Sequence, residues 1–349
     1  MTIGYIHSLG DSTLDNLFWM LGKPGSTVKS AKESSVEGVL KERTKADNYK
    51  VVSHAYDGFT TKSVLQGDRI GAVLPLWREK KLYMKEKASR GSYVHPLKNL
   101  QKKISLDPDT PHYVVISIGG NDFRENLRNP WRLIKDIPQI QKRYLQIVEK
   151  VKGLQGRNVH PILMLQYRTD AKNDPYMIYP LFKAIGIVAI TTHLVCLALL
   201  TAPIWAIAGK ITVLVGGLTF LGSAAGLYLS QKIVPLSVTK EALLGKKIGM
   251  AMLGTLMHSF YQPILEQAKK ARLPVLDLAN TFHPYRELYE CGIEPGKKGS
   301  QLIAKGIHHI VKHHDFTGES ILYSKPDKKP IYTGVVNRDP SAWHVAYPS

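Results

Sequence analysis

Three short runs of aliphatic and β-branched residues each stop abruptly at glycine and polar residues, and this repetition constrains the fold most. The first leads into His7-Ser8-Leu9-Gly10-Asp11-Ser12-Thr13-Leu14-Asp15-Asn16. The second, Val51-Val52-Ser53-His54-Ala55, runs into Tyr56-Asp57-Gly58-Phe59-Thr60-Thr61. The third, Val114-Val115-Ile116-Ser117-Ile118, ends in Gly119-Gly120-Asn121-Asp122. Continuous apolar runs of this length read as strands buried on both faces, as in parallel sheets. Two more strands are expected near 161–167 and 274–278. Helical stretches separate them, clearest at 142–152, at 241–272 (with Pro263 as a breakpoint) and at 298–314. The alternation predicts an α/β fold with a parallel five-stranded sheet and helices on both faces.

Open sheets of this kind collect ligands outside the carboxyl ends of their strands. The three run-ends would therefore meet along one rim. Gly10 permits a tight turn that a Cβ would obstruct, and the turn offers Ser12 as a nucleophile. The backbone N–H of Gly58 and the side-chain amide of Asn121 would supply donors for a developing oxyanion. One such donor is typically worth roughly 3–4 kcal/mol of transition-state stabilisation. Taken alone, Gly-Asp-Ser reads equally as a solvated turn with Asp or Ser as a helix N-cap.

These blocks resemble those of the SGNH (GDSL-type) hydrolase superfamily of esterases and lipases. Gly10-Asp11-Ser12, Gly58 in Asp-Gly-Phe-Thr-Thr, and Gly119-Gly120-Asn121-Asp122 match its first three in order. The resemblance implies a three-layer, flavodoxin-like fold and a serine esterase without a cofactor or metal. It implies Ser12 as nucleophile, with the N–H groups of Ser12 and Gly58 and the amide of Asn121 as the oxyanion hole.

The last block departs from the family pattern, Asp-x-x-His-Pro. Here the residues are Cys291-Gly292-Ile293-Glu294-Pro295-Gly296, with Gly299 and Ile303-Ala304 still in register. Cys291 stands where the aspartate belongs and Glu294 where the histidine belongs. An ordinary glutamate, at about 4.3, is a weaker base than histidine at about 6.5, by roughly 3 kcal/mol of driving force. Burial in apolar surroundings raises a carboxyl toward 6–7 and recovers much of that. Three readings stay open. Glu294 is the base for Ser12; or His283 is, with Asp277 to orient it; or the chain is a binding module that kept the fold and lost the chemistry. Cys291 reads as an ordinary thiol. His309 and His313 are four apart on the closing helix, at metal-ligand spacing, but with no third ligand at that spacing apart from Asp315 they read as a solvated, basic helix end rather than a metal site.

A second feature interrupts the α/β pattern. Residues 184–209 and 211–231 contain no Asp, Glu, Lys or Arg and are joined by Lys210. Each is long enough to cross a hydrocarbon core of about 30 Å, which takes about 20 residues. Small residues recur through both, as close-packed membrane helices require. The expectation is a two-helix membrane hairpin, spanning or re-entrant. The expected division is 1–183 and 232–315 for the two parts of the hydrolase domain, 184–231 for the hairpin, and 316–349 for a polar C-terminal arm, extended or a loosely packed strand. Lys and Arg flank the hairpin on both sides, so both soluble portions are expected on the cytoplasmic side of a membrane. No signal peptide is expected ahead of the first strand, and two cysteines argue against a disulfide framework. The formal charge of +19 suits an anionic cytosolic leaflet as partner. No zinc-finger, P-loop or RNP-like pattern points to nucleic acid. The hairpin leaves from the same strand edge as the expected catalytic loops. This predicts a site mouth near lipid, with Phe59 and Phe123 within its reach, and an ester or lipid substrate.

Overall fold

The apolar runs form the middle of a seven-stranded sheet. The computed structural model describes residues 3–74, 78–87, 92–126, 130–154, 158–166, 248–282, 286–290, 294–324 and 344–346. The strands are β1 (Gly4–Gly10), β2 (Tyr49–Ala55), β3 (His112–Ser117), β4 (Val159–Leu165), β5 (Val275–Asp277), β6 (Ile321–Tyr323) and β7 (His344–Ala346). Their spatial order is β7-β6-β5-β4-β3-β1-β2, and every neighbouring pair is parallel. From β2 to β5 this is the flavodoxin-like order 2-1-3-4-5, whose switch point lies between β1 and β3.

Helices cover both faces. In chain order they are α1 (Leu17–Leu21), α2 (Val28–Ser34), α3 (Val36–Thr44), α4 (Thr61–Gln66), α5 (Arg78–Lys87) and α6 (Pro96–Ser105). There follow α7 (Gly120–Asn126), α8 (Pro130–Lys152), α9 (Ile248–Lys270), α10 (Leu278–Thr281) and α11 (Lys297–His313). Successive strand residues point to opposite faces, and that alternation sorts the core into two layers. Val114, Ile116, Leu163 and Leu165 face Ile104 of α6, Tyr144 and Ile147 of α8, and Ile264 of α9. Val115, Ile162 and Met164 face Leu40 of α3 and Ile303, Ile307 and Ile310 of α11. Each fully buried aliphatic of this size contributes about 1.5–3 kcal/mol.

Four differences from the sequence reading appear here. The sheet has seven strands rather than five, because β6 and β7 come from the polar 316–349 segment, expected as an arm or a loosely packed strand, and both join the main sheet. Leu322 and Tyr323 are buried there, and Leu322 pairs with Val275 of β5. Helix α9 continues through Pro263, and α8 starts twelve residues before the expected 142 and carries Pro138. Helix α5, whose charge predicts a solvated face, turns Tyr83 fully inward against α1. The expected hairpin at 184–231 lies outside the described residues. No described helix is long and apolar enough to cross a membrane.

Candidate active site

The site begins where β1, β2 and β3 end together. Gly10 pairs with Ala55 on one side and Ser117 on the other. Beyond it the Asp11 N–H donates to the Ser117 carbonyl at 3.1 Å, and the Tyr56 N–H donates to the Gly10 carbonyl at 3.1 Å. A Cβ on Gly10 would collide with the Ser117 carbonyl, so this position needs glycine to bring the chains so close. Gly58 turns with a φ of +85°, and a Cβ there would run into Val73. Asn121 donates from its amide to the Phe59 carbonyl at 3.0 Å. Asp122 accepts from the Thr61 N–H at 2.7 Å and its hydroxyl at 2.6 Å. These bonds tie the Gly-Gly-Asn-Asp turn to the Gly58 turn, so Gly58 and Asn121 share one rim with Ser12.

A short antiparallel ladder brings the last block to that rim. Tyr289–Glu290 pairs with Glu294–Pro295, with Glu290 opposite Glu294. Asn16 holds the ladder from below. Its amide nitrogen donates to the Pro295 carbonyl at 2.7 Å and the Ser300 hydroxyl at 2.9 Å, and its oxygen accepts from the Val36 N–H at 2.9 Å. Gly299 lies so close to the Leu288 carbonyl that a Cβ would clash with it. Held this way, Glu294 accepts a hydrogen bond from Ser12 Oγ at 3.0 Å, across 282 residues of chain.

Ser12 is 6% exposed and Glu294 2%. The turn therefore holds the hydroxyl in low-dielectric surroundings rather than on an open surface. Burial dominates the electrostatics of the carboxylates there. It pushes Glu294 up to about 7; Arg124 and the Ser12 hydrogen bond oppose this, while Asp11 and Asp15 add to it. A carboxyl at that value is about as basic as an ordinary histidine. Burial likewise lifts Asp11 to about 6, against hydrogen bonds from Gln166 and Thr13. Asp57 is 1% exposed and driven well above the carboxylate range, by burial first and then by the charge of Glu294.

The other expected residues are described only in part. Asp277 caps α10, accepting from the Asn280 N–H at 3.1 Å and the Asn280 side chain at 2.6 Å. His283 and Cys291 lie outside the described residues. Phe59 and Phe123 are 2% and 6% exposed. Among the described residues no group of three His, Cys, Asp or Glu side chains converges as a metal site. His308 instead pairs with Asp47 at 2.7 Å, and the His309 and His313 rings lie against each other.

Several supporting residues have no sequence signal that singles them out. Gln166, just past β4, donates to Asp11 at 2.6 Å. Tyr83 accepts from the Asp57 N–H at 3.0 Å and donates to Asp15 at 2.6 Å. Asp15 also pairs with Lys87 at 3.0 Å, and Lys87 with Glu37 at 3.0 Å. This buried relay fixes the turn that carries Gly58.

No family profile matches the chain, and no curated protein matches it. Among solved structures it is similar to a protein of Parabacteroides merdae provisionally described as a GDSL-like lipase. The two are 13% identical with a TM-score of 0.33, over 87% of this chain and 93% of the other.

Proposed function

We propose that the chain is an SGNH-type serine ester hydrolase that uses a glutamate as its general base. The hydrogen bond from Ser12 Oγ to Glu294 carries this reading. The base is within reach of the proton it must take, and burial brings its basicity near the working pH. As Glu294 accepts that proton, Ser12 Oγ attacks an ester carbonyl. The Gly58 N–H, the Ser12 N–H and the Asn121 amide receive the oxyanion; one amide hydrogen of Asn121 is engaged by Phe59 and the other serves the substrate. The carbon–oxygen bond to the alcohol then breaks and the departing alkoxide takes up a proton; water attacks the acyl carbon in turn, and Ser12 Oγ regains its proton from Glu294.

The 184–231 segment carries the rest of the proposal. Its two uncharged stretches anchor the protein to an anionic cytosolic leaflet, with lipid or acylated molecules as substrates. The hairpin follows β4, whose carboxyl end borders the site through Gln166 and Asp11. A fluorophosphonate probe on the lipid-reconstituted protein tests the chemistry. Labelling at Ser12 that disappears in Ser12→Ala is expected. A folded protein that takes no label would instead be a binding module on the same fold.

A further inference from the structure

Asp57 is a buried carboxyl group that the reaction above leaves without a task. It is 1% exposed, and among the described residues neither of its oxygens has a hydrogen-bond partner; Glu294 Oε2 is in the same condition. An unsatisfied buried carboxylate costs several kcal/mol unless the group holds its proton or gains a partner during function. Its position is specific. Ser12 lies two residues beyond Gly10 and Asp57 two residues beyond Ala55, and Gly10 and Ala55 are register partners on adjacent strands. Neighbouring strands run about 4.8 Å apart, so the two turns emerge side by side. The Asp57 N–H is anchored by the Tyr83 hydroxyl, and the next residue is Gly58.

We propose that Asp57 is the general acid of the ester hydrolysis, giving its proton to the leaving alkoxide while Glu294 takes the proton of Ser12. This rests on the hydrolase reading above. In acylation, Ser12 Oγ bonds to the carbonyl carbon and its proton passes to Glu294. The carbon–oxygen bond to the alcohol breaks and the alkoxide takes the proton of Asp57. The site then holds an acyl-serine, a protonated Glu294 and an ionised Asp57. In deacylation, Asp57 takes a proton from water, whose oxygen attacks the acyl carbon, and Glu294 returns its proton to Ser12 Oγ. The cycle closes with both carboxyls as they began, and no cofactor is consumed. A single histidine commonly does both jobs in turn. Here the work is divided between two carboxyls with different environments, the arrangement by which one site runs acid and base chemistry at one pH. Burial and the neighbouring Glu294 charge both favour the protonated form of Asp57.

The test compares leaving groups in Asp57→Asn, a neutral isostere. The probes are a p-nitrophenyl ester, whose phenolate departs without a proton, and the ethyl ester of the same acid. The Asp57→Asn protein should keep Ser12 labelling by fluorophosphonate and the rate of the p-nitrophenol burst. Its acylation by the ethyl ester should fall on the order of 100-fold or more. Slow deacylation should make the acyl-enzyme formed from the p-nitrophenyl ester accumulate. Equal effects on both esters, or none, would overturn the assignment, as would loss of labelling in Asp57→Asn, which would make Asp57 a support for Ser12. A wild-type protein that neither labels nor cleaves either ester removes the hydrolase reading itself, and this inference with it.

Discussion

Glu294 is both the proposed base and a source of instability, and the two follow from one cause. Its carboxyl stands at about 7 in the folded protein against an ordinary 4.5. The folded state therefore holds a proton that the unfolded chain has released, and stability falls as pH rises from about 4.5 through about 7. Above that window the group costs up to about 3 kcal/mol. Glu294→Gln is expected to be more stable than wild type at pH 8 by up to that amount, with the difference shrinking toward pH 5, as measured by denaturant unfolding. Its register was legible in the sequence, because Pro295, Gly299 and the Ile303-Ala304 pair keep the spacing around it. Its hydrogen bond to Ser12 was not, since that depends on Asn16 clamping Pro295 and Ser300. Asp57 and Gln166 were illegible for a related reason: a polar residue past a strand end looks the same whether it faces water or is buried, as these two are.

Helix α5 shows what charge patterning misses. Its run of lysines and glutamates suggests a solvated helix, yet Lys87 is drawn in between Asp15 and Glu37. Burial alone would raise Glu37, but Lys87 and Lys41 outweigh it and hold that carboxyl at about 2. Lys87→Met strands Asp15 as a buried, unpaired charge. It should cost about 3–5 kcal/mol in urea unfolding and loosen the Gly58 turn through Tyr83. The central strands carry a second device. His112 Nε2 meets the Asp107 carbonyl at 2.7 Å, which can only accept. With neutral rings His7 Nε2 must then donate to His112 Nδ1 at 2.9 Å, and His54 Nε2 to His7 Nδ1 at 3.3 Å. All three rings are thereby fixed as Nε2–H tautomers. Burial pushes His7 down to about 2 and His54 to about 4, so this cluster loses stability as pH falls below about 6.5. Imidazole nitrogen shifts at pH 5.5 should show His7 and His54 neutral; charged rings there would contradict the chain of hydrogen bonds.

The whole architecture was the most legible level. Apolar runs ending in glycine gave the central strands, and their alternation gave both layers of core. The strands β6 and β7 escaped because they are three residues each, in a polar segment, and depend on the edge of β5 for pairing. At this scale the proposed anchor predicts that the full chain stays on anionic vesicles in about 1 M salt, where the Debye length is about 3 Å and surface attraction is screened. Release by salt alone would leave only the +19 charge as the membrane contact. Everything functional depends on the pairing of Ser12 with Glu294, and the rate of fluorophosphonate labelling against pH measures it directly. The account predicts a rate that rises through a midpoint near 7 in the wild-type protein and collapses in Glu294→Gln. Labelling of equal rate and pH profile in both proteins would contradict it.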